Sequence, residues 1–78
     1  MPKVLYNVKI KNKPEFSAVP EINEIIKATE KYLGDEGRVL VRYSGTEPLC
    51  RIMVEGKNKK EIEALAEKIG GVIKNNIN

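Results

Sequence analysis

The sequence has no histidine, no tryptophan and a single cysteine among its 78 residues. Without histidine it lacks the side chain that most often serves as general base or metal ligand near neutral pH. One cysteine excludes an intramolecular disulfide. One cysteine with no histidine also argues against a structural zinc site, which needs four such ligands. Tyr6, Tyr32, Tyr43 and Phe16 are the whole aromatic complement, too few for the stacking platform of a single-strand nucleic-acid binder. The charge surplus is small: 14 basic against 11 acidic residues, a net +3, which by itself does not argue for nucleic acid. There is no long apolar run and no signal-like start, so the expectation is a cytoplasmic protein with no membrane segment.

What is present suits one small folded domain over residues 1–78. The hydrophobic fraction is 41% and the charged fraction 32%, the balance of a globular chain rather than a disordered tail. A chain this short buries a limited core.

Hydrophobic periodicity divides the chain. Over residues 3–11, Val4, Tyr6, Val8 and Ile10 alternate with Lys3, Asn7, Lys9 and Lys11, which predicts a half-buried strand. Residues 12–19 read as a connecting loop. Pro20 suits a first helical turn, and Ile22, Ile25, Ile26, Thr29 and Leu33 then form one helical stripe. Gly34 is placed for a left-handed helix cap, followed by the turn residues Asp35, Glu36 and Gly37. Residues 38–43 and 49–55 read as two strands, and the short link between them implies an antiparallel pair. Asn58 and Glu61 have the spacing of a capping arrangement. It opens a second helix with the stripe Ile62, Leu65, Ala66, Ile69, Val72 and Ile73. Gly70-Gly71 interrupts that stripe, consistent with close packing on the sheet, a kink or an early helix end. Residues 74–78 read as frayed. The order β-α-β-β-α predicts an α+β two-layer sandwich, with two helices on one face of a small, mostly antiparallel sheet.

The stretch Arg42-Tyr43-Ser44-Gly45-Thr46-Glu47-Pro48-Leu49-Cys50-Arg51 concentrates the chemistry. Amides in a tight turn can form an anion nest, for which Gly45 permits the dihedrals. Ser44 and Thr46 add hydroxyl donors, and Arg42 adds a planar fork matched to phosphate oxygens. Arg51 lies on the strand face opposite Cys50, Ile52 and Val54, and is either a second phosphate contact or a solvated residue. Glu47 would repel an anion, so its expected role is to orient an arginine or meet a sugar hydroxyl or amine. The same residues also make an ordinary hairpin turn. Tyr43 is expected to pack, and Cys50 to sit in the core, since it has no histidine to activate it. Lys57, Lys59 and Lys60 read as a solvated helix start.

The pattern Arg42-x-Ser44-Gly45-Thr46-Glu47-Pro48-x-x-Arg51 resembles the phosphate-binding loop in the C-terminal domain of the α-D-phosphohexomutases. The flanking Gly37 to Arg42 and Leu49 to Gly56, with the opening Pro2 to Val8, are most similar to the bacterial branch acting on glucosamine phosphates. Tyr43 and Cys50 depart from the residues expected there. The resemblance covers nearly the whole chain. It implies a TATA-box-binding-protein-like fold and a place as the fourth domain of a four-domain enzyme. Such enzymes interconvert hexose 6- and 1-phosphates through a phosphoserine and a bisphosphorylated sugar, here for amino-sugar nucleotide and cell-wall synthesis. Magnesium supports the phosphoserine in the full-length enzyme. The implied phosphate contacts are Arg42, Ser44, Gly45 and Thr46, with Arg51 secondary and Glu47 as a sugar or arginine contact. No catalytic residue or metal ligand is implied in this chain, which is then inert alone. Its implied partners are a sugar phosphate and the other three domains.

Two alternatives remain open in the sequence. A phosphomannomutase or phosphoglucomutase can share Ser44 to Pro48. More remotely, Lys3, Lys9 and Lys11 would suit a free-standing RNA- or protein-binding module.

Overall fold

The computed structural model describes residues 1–77. Three strands and two helices follow the order β1 (Lys3–Lys9), α1 (Pro20–Leu33), β2 (Arg38–Tyr43), β3 (Leu49–Glu55) and α2 (Lys59–Ile77). The expected β-α-β-β-α sandwich is therefore present. Single 3-10 turns occupy Phe16–Ala18 and Gly34–Glu36.

The strand order is β1-β3-β2, and both pairings are antiparallel. β3 takes the centre because it carries the most thoroughly apolar face: Cys50, Ile52 and Val54 are at most 1% exposed. The register sorts the side chains into rows. Val8–Cys50–Tyr43, Tyr6–Ile52–Val41 and Val4–Val54–Val39 run across the face covered by the helices. Asn7–Arg51–Arg42, Leu5–Met53–Leu40 and Lys3–Glu55–Arg38 run across the opposite, open face. Leu5 and Leu40 are exposed there, flanking a buried Met53.

α1 begins with Pro20 in its first turn and buries Ile22, Thr29 and Leu33. Thr29 satisfies its hydroxyl within the helix by donating to the Ile25 carbonyl at 2.7 Å. Gly34 ends the helix with φ 56°, a value that favours glycine. Its ψ of −135° lies outside the left-handed helical well, although Gly34 does cap the helix and its N–H donates to the Glu30 carbonyl; a 3-10 turn over Gly34–Glu36 continues from it.

In α2, the Asn58 side-chain oxygen accepts the Glu61 N–H at 3.0 Å. The reciprocal half of a capping box is traded away, because the Glu61 carboxylate accepts the Tyr32 hydroxyl at 2.7 Å instead. Of the three readings of Gly70-Gly71, close packing holds. The helix continues through both residues, and a Cβ on Gly70 would stand 2.5 Å from the Tyr6 ring. The expected fraying of residues 74–77 is corrected: the helix runs on because Ile77 is buried, 5% exposed. Asn78 lies outside the described residues. The fully buried Ile22, Ile52, Ile62, Ile69, Ile73 and Val54 each contribute roughly 1.5–3 kcal/mol relative to exposure.

Candidate phosphate-binding site

β2 and β3 are joined by residues 44–48. Ser44 closes the ladder by donating its N–H to the Leu49 carbonyl at 2.9 Å. The return bond of a regular hairpin is missing, because the Leu49 N–H donates to the Glu47 carbonyl at 2.8 Å. Ser44 is buried, 6% exposed. Its hydroxyl oxygen accepts the N–H of Glu47 at 3.2 Å and, more loosely, that of Thr46 at 3.4 Å, a serine-centred turn.

This geometry revises the chemistry expected of the loop. Two of its amides are spent on Ser44, so an open nest of free N–H groups is not present. Gly45 does not have positive φ, so its backbone does not demand glycine. A Cβ there would meet nothing within 4 Å; what Gly45 supplies is an uncovered approach. Among the described residues its N–H has no protein acceptor. Thr46 is exposed beside it.

Arg42 and Arg51 stand directly opposite each other across β2 and β3 on the open face. Among the described residues Arg42 has no ion-pair partner. Arg51 has one: its guanidinium lies 3.5 Å from the Glu47 carboxylate, and both side chains are about half exposed. A concavity over the open face is lined by Lys3, Asn7, Arg38, Arg42 and Arg51 together with Leu5. The two arginines therefore share one surface. Gly45 and Thr46 sit in the turn beyond the strand ends, and Ser44 is turned inward.

Tyr43 stacks on Phe16 with ring centroids 4.6 Å apart and donates its hydroxyl to the Pro14 carbonyl. Burial raises its pKa above the ordinary tyrosine value. Cys50 lies in the core, and burial pushes its thiol up to about 11, the opposite of an activated nucleophile. At the start of α2, Lys57 pairs with Glu36. One residue escaped the sequence reading. Lys13, in the connection to α1, donates to the Ser44 carbonyl at 2.7 Å. Nothing in the local pattern marks it, because the contact spans 31 positions.

A family model for the phosphoglucomutase/phosphomannomutase C-terminal domain matches residues 5–71. The chain belongs to that family. Phosphoglucosamine mutase of Syntrophotalea carbinolica is 49% identical over 77 residues, covering 99% of this chain and 17% of the relative. Phosphoglucosamine mutase of Syntrophus aciditrophicus is 49% identical over 73 residues, covering 94% and 16%. The chain thus spans about a sixth of the length of the curated relatives it matches. Among solved structures, Aspergillus fumigatus N-acetylphosphoglucosamine mutase, in complex with GlcNAc-6P and magnesium, superposes with a TM-score of 0.65. Its identity is 21%, and the match covers 99% of this chain and 16% of that one. The shared fold is that of a phosphohexomutase C-terminal domain.

Magnesium finds no ready-made cluster of ligands among the described residues. Among the described residues no three acidic, cysteine or histidine side chains gather closely enough to hold a metal ion. No helix among them is long and apolar enough to cross a membrane.

Proposed function

We propose that this chain is the phosphate-clamping domain of a phosphoglucosamine mutase, interconverting glucosamine 6-phosphate and glucosamine 1-phosphate through a phosphoserine and a bisphosphate. The observation that carries the reading is the opposed Arg42–Arg51 pair beside a turn whose Gly45 N–H is unclaimed among the described residues. Like charges placed directly opposite on a sheet weaken it. A dianion between them turns that repulsion into attraction and gives each guanidinium a charge-assisted partner.

The domain's work is positioning. Phosphoryl transfer depends mainly on alignment and charge stabilisation. A clamp on the phosphate that is not reacting spends binding energy on that alignment. Arg42 meets the phosphate with no competing carboxylate among the described residues. Arg51 exchanges Glu47 for it, while the Gly45 N–H and the Thr46 hydroxyl donate from the turn. Ser44 holds the turn's shape through its oxygen and keeps its own O–H proton to donate. The phosphoserine, its magnesium and the sugar-reading residues belong to the other three domains, so this chain alone is inert.

In a full-length enzyme carrying this domain, Arg42→Ala raises KM and lowers kcat together, because the clamp both binds and aligns. An unchanged kcat/KM contradicts the assignment. The substrate is tested by comparing turnover of glucosamine, mannose and glucose phosphates. Preference for mannose or glucose would move the chain to the phosphomannomutase/phosphoglucomutase reading. Mutase turnover by the pure 78-residue chain would refute its inertness.

A further inference from the structure

Lys13 lies in the connection between β1 and α1, yet it is held against the β2–β3 turn. Three neighbouring ties fix that connection. The Ile10 N–H donates to the Pro48 carbonyl at 2.9 Å, the Tyr43 hydroxyl donates to the Pro14 carbonyl, and Phe16 stacks on Tyr43. The segment on either side of Lys13 is therefore anchored to both sides of the β2–β3 turn, at Tyr43 and Pro48, which limits the freedom of its long side chain.

The partner of Lys13 is also specific. The Ser44 carbonyl lost its ladder donor when the Leu49 N–H turned to Glu47, and the Lys13 ammonium takes the vacated place at 2.7 Å. A carbonyl left bare at the mouth of an anion site would repel the anion. An ammonium bound to it reverses that local field. Among the described residues Lys13 has no carboxylate partner, and none of them neutralises its charge. An ammonium has three N–H donors, and the Ser44 carbonyl uses one.

Resting on the phosphate-clamp reading above, we propose that Lys13 completes the phosphate site. It braces the turn through the Ser44 carbonyl and offers its remaining N–H donors and its charge to the bound phosphate. It joins the two arginines as the site's third cation.

The test is a titration of the unaltered chain, Lys13→Gln, Lys13→Met and Lys13→Arg with inorganic phosphate at constant ionic strength. Amide shifts of Ser44 to Glu47 are followed by NMR, with a thermal melt of each protein without phosphate. Lys13→Gln keeps a neutral donor for the Ser44 carbonyl and removes the charge. It is expected to weaken phosphate roughly tenfold, the order of one charge-assisted hydrogen bond, while the phosphate-free melt stays in place. Lys13→Met weakens binding at least as much, and Lys13→Arg restores it to within about threefold. Phosphate affinity unchanged in Lys13→Gln and Lys13→Met would overturn the assignment of Lys13 alone. A folded, unaltered chain with no saturable shifts in the turn would overturn the clamp reading and Lys13 with it.

Discussion

Arg42 and Arg51 face each other directly across the antiparallel β2–β3 pair, and among the described residues only Arg51 has a carboxylate near it. Opposed like charges of this kind cost a few tenths to about 1 kcal/mol in a sheet. Arg42→Leu is therefore expected to leave the chain as stable as before or slightly more so, while removing phosphate binding. Phosphate should raise the Tm of the unaltered chain more than chloride at equal ionic strength, and should not do so for Arg42→Leu. Thermal melts in the two salts check both statements. A marked loss of stability in Arg42→Leu would show that the arginine serves the fold.

The adjacent Gly70 and Gly71 are expected to respond in opposite directions to alanine. Gly71 is exposed, and a Cβ there meets nothing within 4 Å. Gly71→Ala should stabilise by about 0.8–1 kcal/mol through helix propensity, raising Tm by roughly 4–8 °C in a domain of this size. At Gly70 the added Cβ would stand 2.5 Å from the Tyr6 ring and 3.1 Å from a Val8 methyl. Gly70→Ala should destabilise by about 1–3 kcal/mol. Equal melting shifts of the same sign would contradict the packing described for α2.

Cys50 sets an alkaline limit. Its thiol pKa is raised from 9.0 to about 11 by burial, so the folded state holds its proton more tightly than the unfolded state. The resulting stability is fully present below pH 9 and is lost as pH rises from 9 toward 11. Denaturant titrations should show a falling midpoint in that window, with a shallower fall in Cys50→Ala. Thiol reagents at pH 8 should label the native chain far more slowly than the urea-unfolded chain. Rapid native labelling would contradict the burial.

Tyr43→Phe keeps the stack on Phe16 and removes the hydroxyl that donates to Pro14. The expected cost is about 0.5–1.5 kcal/mol, with amide shifts spreading to Lys13 and Ser44 because the connection loses one of its ties. Shifts confined to Tyr43 would show that the brace does not depend on this bond.

The elements were legible because local pattern decides them. Val4 and Val8 on one side of β1, and the Ile22 to Leu33 stripe, each mark a buried face by period alone. Arg51 could be placed on the open face by parity with Cys50 and Ile52. Other features depend on contacts between distant segments. Gly70 is explained only by Tyr6 lying beneath it, and the ordered end of α2 only by the burial of Ile77. The open-face row Leu5–Met53–Leu40 needs the strand order, which periodicity does not contain. Within the turn, Ser44 accepts amides that the sequence assigned to a nest, because a buried hydroxyl seeks the nearest donors. Lys13 reaches Ser44 across 31 positions, and no local pattern encodes that distance.

The most direct measurement is an amide NMR titration of the chain with glucosamine 6-phosphate, with glucosamine as control. A phosphate clamp predicts saturable shifts at Ser44, Gly45, Thr46 and Arg51 with the phosphorylated sugar and none with glucosamine. A well-folded chain whose turn responds to neither compound, or to both alike, would contradict it.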